Sequence, residues 1–401
     1  MTDQTEKENS IVPVWKVSKE QQDNQKKSIR KRILLIALII VAAVIAYVIL
    51  VNAFKSWTRY TTVSSIERMD SEAARFVPFG EDIIRYSNDG ASLTDLENNV
   101  LWSQSFEMQS PIVSVRGDYI AFADQEGKSI YVMSHSEGFQ TRITTELPIV
   151  KADVDTRGNI AVLMKESDVS YLGMYNISGT KTAEGAIHFE SSGFPLDLSL
   201  SPDGNMMAVS SLTIANGQVG TSIHFYRFTQ DEQENGDNLA QTLTYDDTVI
   251  PRIHYLDNNS LIAYGDNKVI ITGGSSKPEE QVRIEVEHEI KCLFYNDQYF
   301  GLLYMTNQDG NGNSADIYSL NGSLKETISL DKSYMEGGFM SNGEIYFLDG
   351  MNCAIYRRSG RKKFEGRAET IMHTILSTGS SRRYIFVREG KTETIKLGLF
   401  S

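Results

Sequence analysis

An eightfold repeat of strand, tight turn and strand constrains the fold of this 401-residue chain more than any other feature of its sequence. Each copy joins two apolar runs rich in Ile, Val, Tyr and Phe through a turn rich in Gly, Asp and Asn. Successive turns lie 36 to 54 residues apart, and they centre near Gly80, Gly117, Gly158, Gly204, Asn258, Asp297, Gly343 and Gly379. A period of about 40 to 50 residues with four strands per unit is typical of β-propellers.

Further strands and prolines complete the repeat unit. A third strand follows most pairs, as in SIYVMS from Ser129 and KVIITGG from Lys268, and a weaker fourth strand is predicted at 141–146. Four of the eight prolines stand at or just before a first strand, and these are Pro111, Pro148, Pro195 and Pro251. Proline has no N–H to donate, so the beginning of a strand suits it. The unit therefore reads as strands A, B, C and D.

The fold class that follows is all-β, a β-propeller of eight blades, with seven as the alternative if one unit is irregular. The last unit reaches the end of the chain at Ser401 directly after its third strand. Residues 61–67, TTVSSIE, precede the first unit and are predicted to supply the missing fourth strand. Such pairing closes the ring and leaves no free sheet edge at the junction.

A charge-free apolar run, ILLIALIIVAAVIAYVILV, occupies residues 33–51. Nineteen residues at about 1.5 Å each match the hydrocarbon thickness of a bilayer, and no small-residue cleavage site follows, so we predict an uncleaved transmembrane helix. Basic residues crowd its N-terminal flank, which places residues 1–32 in the cytoplasm, 52–73 as a linker and 74–401 outside. Trp57 and Tyr60 are predicted at the outer membrane interface.

Charge and cysteine content narrow the classes of partner. The formal charge is -13, but residues 1–32 carry +3 and the remainder carries -16. An acidic body repels phosphate backbones, so nucleic-acid binding is not expected. The two cysteines, Cys292 and Cys353, are too few for a disulfide scaffold, and their pairing is left open.

The turn Ser201-Pro202-Asp203-Gly204 resembles the turns of WD-type and TolB-like propeller repeats, and residues 98–122 are similar to blades of quinoprotein-like propellers. The architecture as a whole resembles uncharacterised single-pass membrane proteins of Gram-positive bacteria with an extracytoplasmic propeller. The resemblance implies a location in the cell membrane with the C-terminal domain outside. The Trp-Asp and Gly-His signatures of standard WD repeats are absent. Such fold-level resemblance supplies no specific function.

No catalytic or metal-ligating residues are assigned from the sequence. Six histidines are scattered without metal-binding spacing and are interpreted as surface or strand residues: His135, His188, His224, His254, His288 and His373. The segment Asp309-Gly-Asn311-Gly-Asn313 resembles the start of a calcium loop, but position six is Ser314 and position twelve is Leu320. We interpret it as a turn.

Two clusters of charged residues remain as candidate binding surfaces. The turns between strands B and C carry five aspartates, which either form an acidic rim around the central channel or are present because turn chemistry alone selects aspartate: Asp124, Asp168, Asp266, Asp309 and Asp349. A basic hairpin at 357–363, RRSGRKK, either contacts anionic polymers or lipid headgroups or is a solvated turn.

The function expected is a membrane-anchored binding or scaffolding module, because rigid blades hold variable loops in fixed relation. Its partners would be the lipid bilayer, through one helix, and an envelope protein or a cell-surface polymer. No cofactor is expected. The alternative is a carbohydrate-active or quinone-dependent propeller enzyme, and its carbohydrate version predicts carboxylates about 5 to 10 Å apart in the central channel.

Overall fold

The computed structural model describes residues 31–47, 54–70, 73–215, 217–228, 238–305 and 313–398. Contact clustering divides the chain into one unit at Met1–Ser56 and a compact unit at Trp57–Ser401. The second unit contains eight four-stranded antiparallel sheets, and in seven of them the strand order follows the chain. The predicted eight-bladed propeller is confirmed.

The blades follow one another along the chain, each from its innermost strand A to its outermost strand D. Blades 1 to 4 comprise β2 Arg75–Phe79, β3 Asp82–Ser87, β4 Gly90–Thr94, β5 Val100–Ser105, β6 Pro111–Arg116, β7 Tyr119–Asp124, β8 Ser129–Ser134, β9 Gly138–Thr144, β10 Ile149–Val154, β11 Ile160–Glu166, β12 Val169–Tyr175, β13 Lys181–His188, β14 Phe194–Leu200, β15 Met206–Ala215, β16 Gln218–Arg227 and β17 Leu239–Tyr245.

Blades 5 to 8 complete the ring. Their strands are β18 Arg252–Tyr255, β19 Ser260–Tyr264, β20 Lys268–Gly273, β21 Glu279–Glu285, β22 Ile290–Tyr295, β23 Tyr299–Met305, β24 Asn313–Ser319, β25 Leu324–Leu330, β26 Glu336–Phe339, β27 Ile345–Asp349, β28 Asn352–Tyr356, β29 Lys362–Arg367, β30 Met372–Ser377, β31 Arg383–Arg388 and β32 Lys391–Leu397, with β1 Tyr60–Glu67 as the fourth strand of blade 8.

The ring closes as the sequence predicted. Strand β1 pairs antiparallel with β32, from Tyr60 opposite Leu397 to Glu67 opposite Lys391. The four prolines also lie where the repeat placed them: Pro111 begins β6, Pro195 is the second residue of β14, and Pro148 and Pro251 immediately precede β10 and β18. The local sequence pattern therefore predicted both the four-strand repeat and the residue at which each repeat begins.

Each interface between neighbouring blades contains its own apolar core cluster among the described residues. Alternating side chains on both faces of a blade pack against the next blade, which explains why strands B and C are buried almost throughout. The cluster between blades 8 and 1 is small, with three buried members, Ile83, Ile385 and Val387. Arg68 binds Asp70 at 2.9 Å near this junction, so the seam relies partly on polar contacts.

The two faces of the ring follow from the strand directions. The AB face carries the turns between strands A and B, such as 117–118, and those between strands C and D. The BC face carries the turns between strands B and C, such as 125–128, and the loops that enter each strand A. Strand β1 begins opposite the end of β32, so the chain joins the propeller at the AB face.

Outside the propeller, residues 31–47 are helical. Within the residues that the structure describes, no helix is long and apolar enough to cross a membrane. The predicted span at 33–51 includes residues 48–51, which lie outside the described ones. A second helix, Phe189–Ser192, forms a single turn before β14.

The prediction that Trp57 lies at a membrane interface is wrong. Its side chain is 5 % exposed and belongs to the core cluster between blades 7 and 8. Arg382 lies over its ring at 5.1 Å from the centroid. Tyr60 is partly buried, with its ring 5.3 Å from Phe386, because the closing strand needs aromatic contacts to hold it in the blade.

Candidate functional site

Side chains on the innermost strands form hydrogen bonds between blades that the sheets themselves do not provide. Ser114 Oγ on β6 accepts a hydrogen bond from the amide of Val154 on β10 at 3.2 Å. Asp153 Oδ2 on β10 accepts one from the amide of Leu200 on β14 at 2.8 Å. We call these contacts, with those of Asp197 and Ser199, the inner-ring clamps. They join the strands A of blades 2, 3 and 4 around the channel.

Strand β14 contributes two further clamps to blade 5. Asp197 Oδ2 accepts from the amide of Ile253 at 3.0 Å, and Ser199 Oγ accepts from the amide of Tyr255 at 3.0 Å. Lys151 Nζ lies 3.1 Å from Asp197 Oδ1. Burial raises the pKa of Asp197, and the charge of Lys151 opposes this shift. Both oxygens of this carboxylate are therefore engaged.

Arg116 reaches across the channel from blade 2. Its Nη1 donates to the carbonyl of Tyr255 on blade 5 at 2.8 Å, and its Nη2 donates to the carbonyl of Leu200 on blade 4 at 3.5 Å. The same Nη2 lies 3.9 Å from Asp153 Oδ2. These partners are at or near the ends of their strands A, so the guanidinium narrows the channel towards the AB face.

A histidine and a tyrosine stack close to this arginine. The ring centroids of His254 and Tyr295 are 4.1 Å apart, and Tyr295 Oη lies 3.3 Å from His254 Nδ1. Burial lowers the pKa of His254 well below its usual value, and the positive charges of Arg116 and Lys151 lower it further. The imidazole is therefore neutral at neutral pH.

Two carboxylates from neighbouring blades, Asp153 and Asp197, are the ones to compare with the carbohydrate-active alternative. Asp153 accepts from Ser114 Oγ at 2.5 Å and from Ser199 Oγ at 3.2 Å, in addition to the Leu200 amide. Asp197 is similarly occupied by a backbone amide and a lysine. Carboxylates in this state hold strands together, and the structure gives no observation that favours their use in hydrolysis.

A cavity of about 440 Å³ opens on the BC face where blades 7, 8 and 1 meet. Its apolar wall includes Met335 and Ile371, whose side chains are 52 % and 48 % exposed. Phe76 and His373 form another wall, with ring centroids 4.7 Å apart. Exposed apolar side chains beside aromatic rings are typical of a surface that receives a partner.

Two carboxylates give this cavity its charge. Glu336 begins β26, Asp349 ends the neighbouring strand β27, and both line the cavity. Burial raises the pKa of Glu336, and the charge of Asp349 raises it further. Among the described residues neither carboxylate has an ion pair, and Arg75 contributes a positive charge to the lining. The cavity therefore suits a cationic group flanked by apolar ones.

The predicted acidic rim is only partly a shared surface. Asp124 accepts from the amides of Gln109 and Ser110 at 2.9 and 3.0 Å, and Asp266 accepts from Thr248 Oγ1 at 2.6 Å. These two aspartates hold the loops that enter strands A. Asp168 is exposed, Asp349 lines the cavity, and Asp309 lies outside the described residues.

The basic hairpin is the turn between β28 and β29 in blade 7. Lys362 binds Asp331 and lies 2.6 Å from Glu365, while the buried Lys363 lies 2.5 Å from Glu344. Arg358 donates to the side chain of Gln298 at 3.1 Å. Much of its charge is thus used inside the propeller, which disfavours this hairpin as a polymer-binding surface.

The remaining candidates add no site. The segment 309–313, which resembles the start of a calcium loop, lies outside the described residues except Asn313, whose side chain donates to the carbonyl of Tyr334 at 2.6 Å. Cys292 and Cys353 are free thiols on different blades. Within the described ranges no three His, Cys, Asp or Glu side chains are grouped to hold a metal.

Sequence reasoning missed Arg116, Asp153, Asp197 and Glu336. A signal was present for two of them, because KADVD and LDLSL each place an aspartate between two apolar residues of an innermost strand. A charge at such a position predicts a specific partner, since an unpaired buried charge is costly. For Arg116 no local signal exists, because its partner Tyr255 lies 139 residues away.

Solved structures similar to this chain are propellers of diverse origin. Sqt1 of Chaetomium thermophilum, bound to the N-terminus of ribosomal protein L10, has a TM-score of 0.54 and 11 % identity, with 84 % of this chain and 100 % of that chain covered. AztD of Citrobacter koseri has a TM-score of 0.53 and 12 % identity, with 77 % and 90 % covered. BamB from Moraxella catarrhalis has a TM-score of 0.49 and 12 % identity, with 84 % and 100 % covered.

At these identities the likeness shows the fold alone. No curated protein matches the chain. One family profile matches residues 53–397, which is most of the chain and the whole described propeller. The chain belongs to DUF5711, a family of unknown function.

Proposed function

We propose that this protein is a membrane-anchored scaffold whose propeller binds an envelope protein through the BC face. The observation that carries the proposal is the cavity between blades 7, 8 and 1, where unpaired carboxylates meet exposed apolar side chains. The partner group that fits is a lysine or arginine side chain with an apolar neighbour. The apolar run at 33–51 supports the anchor, and the basic residues on its N-terminal flank support an extracytoplasmic propeller.

The chemistry of the cavity favours protein over polysaccharide. An apolar wall beside a charged pocket offers both desolvation and charge complementarity, which together define the centre of a protein interface. Met335 and Ile371 provide the apolar part, and Glu336 and Asp349 provide the charge. A similar propeller, Sqt1, is known bound to a protein N-terminus, which is consistent with peptide capture by this fold.

The position of the chain entry supports the choice of face. The strand that closes the ring begins at the AB face, where Tyr60 pairs with Leu397. Whatever precedes the propeller is therefore attached at that face. The cavity opens on the opposite face, which supports the binding of a second protein there.

In-cell photocrosslinking tests the proposal on the full-length protein. A photoreactive amino acid is placed at Met335 or Ile371, and at Leu324 as the control, because Leu324 is similarly exposed at 53 % on the outer strand of blade 6. We expect one envelope protein to be captured from the cavity positions and not from the control. We also expect Glu336→Gln with Asp349→Asn to reduce that capture at least fivefold.

Two results would refute the assignment. Equal capture from Leu324 would show that the crosslinks report abundance and not the cavity. Capture that is unchanged when both carboxylates are neutralised would show that a cationic group is not recognised there. In either case the purified propeller would next be screened against glycans, where the enzyme alternative makes its own prediction.

A further inference from the structure

Three exposed cations share one face of blade 8 at its AB end. Arg383 on β31 lies directly opposite Lys396 on β32, and Lys396 lies opposite Thr61 on β1. Arg59 precedes Thr61 by two residues, so strand alternation places it on the same face. Its carbonyl accepts from the amide of Gly398 at 3.3 Å, which continues the pairing. We call Arg59, Arg383 and Lys396 the blade-8 cations.

The blade-8 cations lie close together on one face and repel one another. Directly opposite residues on neighbouring strands lie about 4.5 to 5.5 Å apart, and like charges there are destabilising. The buried Lys363 near the AB face, by contrast, is paired with Glu344 at 2.5 Å. Among the described residues no carboxylate lies within ion-pair distance of the blade-8 cations. This arrangement fits a surface that meets an external anion.

The place of these cations in the chain identifies the anion. Arg59 stands at the entry to the propeller, eight residues after Val51, the last residue of the apolar run at 33–51. The remainder of the chain after residue 32 carries a charge of -16, so an anionic surface repels most of it. A cationic edge at the entry to the propeller offsets part of that repulsion.

We propose that the blade-8 cations dock the propeller onto anionic phospholipid headgroups. The inference rests on the membrane anchor of the proposed function, but it concerns a different face and a different ligand. Each exposed cation near an anionic membrane strengthens association by about fivefold, so three contribute on the order of 100-fold. Docking by one edge holds the ring in one orientation and leaves the BC face towards the partner.

Vesicle co-sedimentation tests the docking directly. The unit Trp57–Ser401 is compact and includes its own closing strand, so it is used without the preceding residues. The probes are vesicles of phosphatidylcholine with 30 % phosphatidylglycerol and vesicles of phosphatidylcholine alone. We expect binding only to the anionic vesicles, and about a 100-fold weaker partition for Arg59→Gln with Arg383→Gln and Lys396→Gln.

A second triple variant controls for net charge. Lys128→Gln with Lys277→Gln and Lys325→Gln removes the same charge from exposed positions on blades 2, 5 and 6. Its binding is expected to fall less than threefold. Equal loss in both variants, or no binding of the unaltered unit to anionic vesicles, would overturn the proposal.

Salt dependence keeps the test valid if the first variant folds poorly. Binding of the unaltered unit is expected to fall at least tenfold between 0.05 and 0.5 M salt, since surface charges are screened beyond about 5 Å at the higher value. Salt-independent binding would contradict headgroup docking. The outcome is separate from the crosslinking experiment, because neither Met335 nor Ile371 belongs to blade 8's cationic edge.

Discussion

Removing the carboxylate of Asp153 is predicted to destabilise the propeller strongly. This side chain accepts hydrogen bonds from Ser114 Oγ, Ser199 Oγ and the amide of Leu200, and it lies 3.9 Å from the guanidinium of Arg116. It therefore connects blades 2, 3 and 4 at the inner ring. In Asp153→Ala the amide of Leu200 loses an acceptor, and the guanidinium of Arg116 loses its nearby carboxylate.

The expected magnitude follows from those lost partners. A buried donor left unsatisfied costs about 1 to 3 kcal/mol, and removing one partner of a buried ion pair costs about 3 to 5 kcal/mol in total. The contacts are shared, so we expect Asp153→Ala to lower the free energy of unfolding by about 3 to 5 kcal/mol. Asp153→Asn retains one oxygen acceptor and the volume, and should cost about 1 to 2 kcal/mol.

Urea unfolding of the unit Trp57–Ser401, followed by tryptophan fluorescence and circular dichroism, measures these changes. The matched control is Asp118→Ala, which removes an exposed carboxylate from a turn of blade 2. The control is expected to change the free energy of unfolding by no more than about 0.5 kcal/mol. An Asp153→Ala variant as stable as this control, at an unchanged denaturant slope, would show that the clamps do not hold the ring.

Three further outcomes are expected. The folded-state pKa of His254 is depressed, so its contribution to stability is fully present above the unfolded pKa of about 6.5 and is lost as the pH falls below that value. The urea midpoints at pH 7.5 and pH 5.5 should therefore differ less in His254→Gln than in the unaltered protein. An equal difference in the two proteins would contradict this. Tyr60→Ala removes the aromatic contact of the closing strand, so it should lower the free energy of unfolding by about 2 to 3 kcal/mol and speed proteolysis within β1. Thr61→Ala, on the exposed face of the same strand, should do neither. Equal proteolysis rates in the two variants would refute the role of Tyr60. Burial raises the pKa of Cys353 to about 12 and also raises the pKa of Cys292. Both thiols should therefore react slowly with a disulfide reagent in the folded protein at pH 7.5, and should react fully in urea. Rapid labelling of Cys353 in the folded protein would contradict its burial.

The architecture was predictable because a propeller blade is a local unit. Strands A to D are neighbours in the sequence, so the turn at Gly204 and the proline before β18 mark the blade without any long-range information. The closing strand was predictable for a related reason. A unit that lacks its fourth strand leaves an edge unpaired, and residues 61–67 were the available segment with strand character.

The candidate sites were less predictable because charge at a turn has two explanations. Asp124 and Asp266 were read as part of a rim, but their carboxylates hold neighbouring loops. Lys362 and Lys363 were read as an exposed basic hairpin, but both bind carboxylates of the propeller. Sequence shows that a charge is present, and only packing shows whether another group in the chain already neutralises it.

The sequence by itself determined the all-β class, the eight blades, the phase of each repeat and the closing strand. Each of these depends on hydrophobic alternation and turn chemistry within about 50 residues. The tertiary structure alone decided the inner-ring clamps, the reach of Arg116 to blade 5, and the meeting of Phe76 with Glu336 in one cavity. These contacts join residues far apart in the chain because ring closure brings the first blade beside the last, and no local pattern encodes which side chains then face each other.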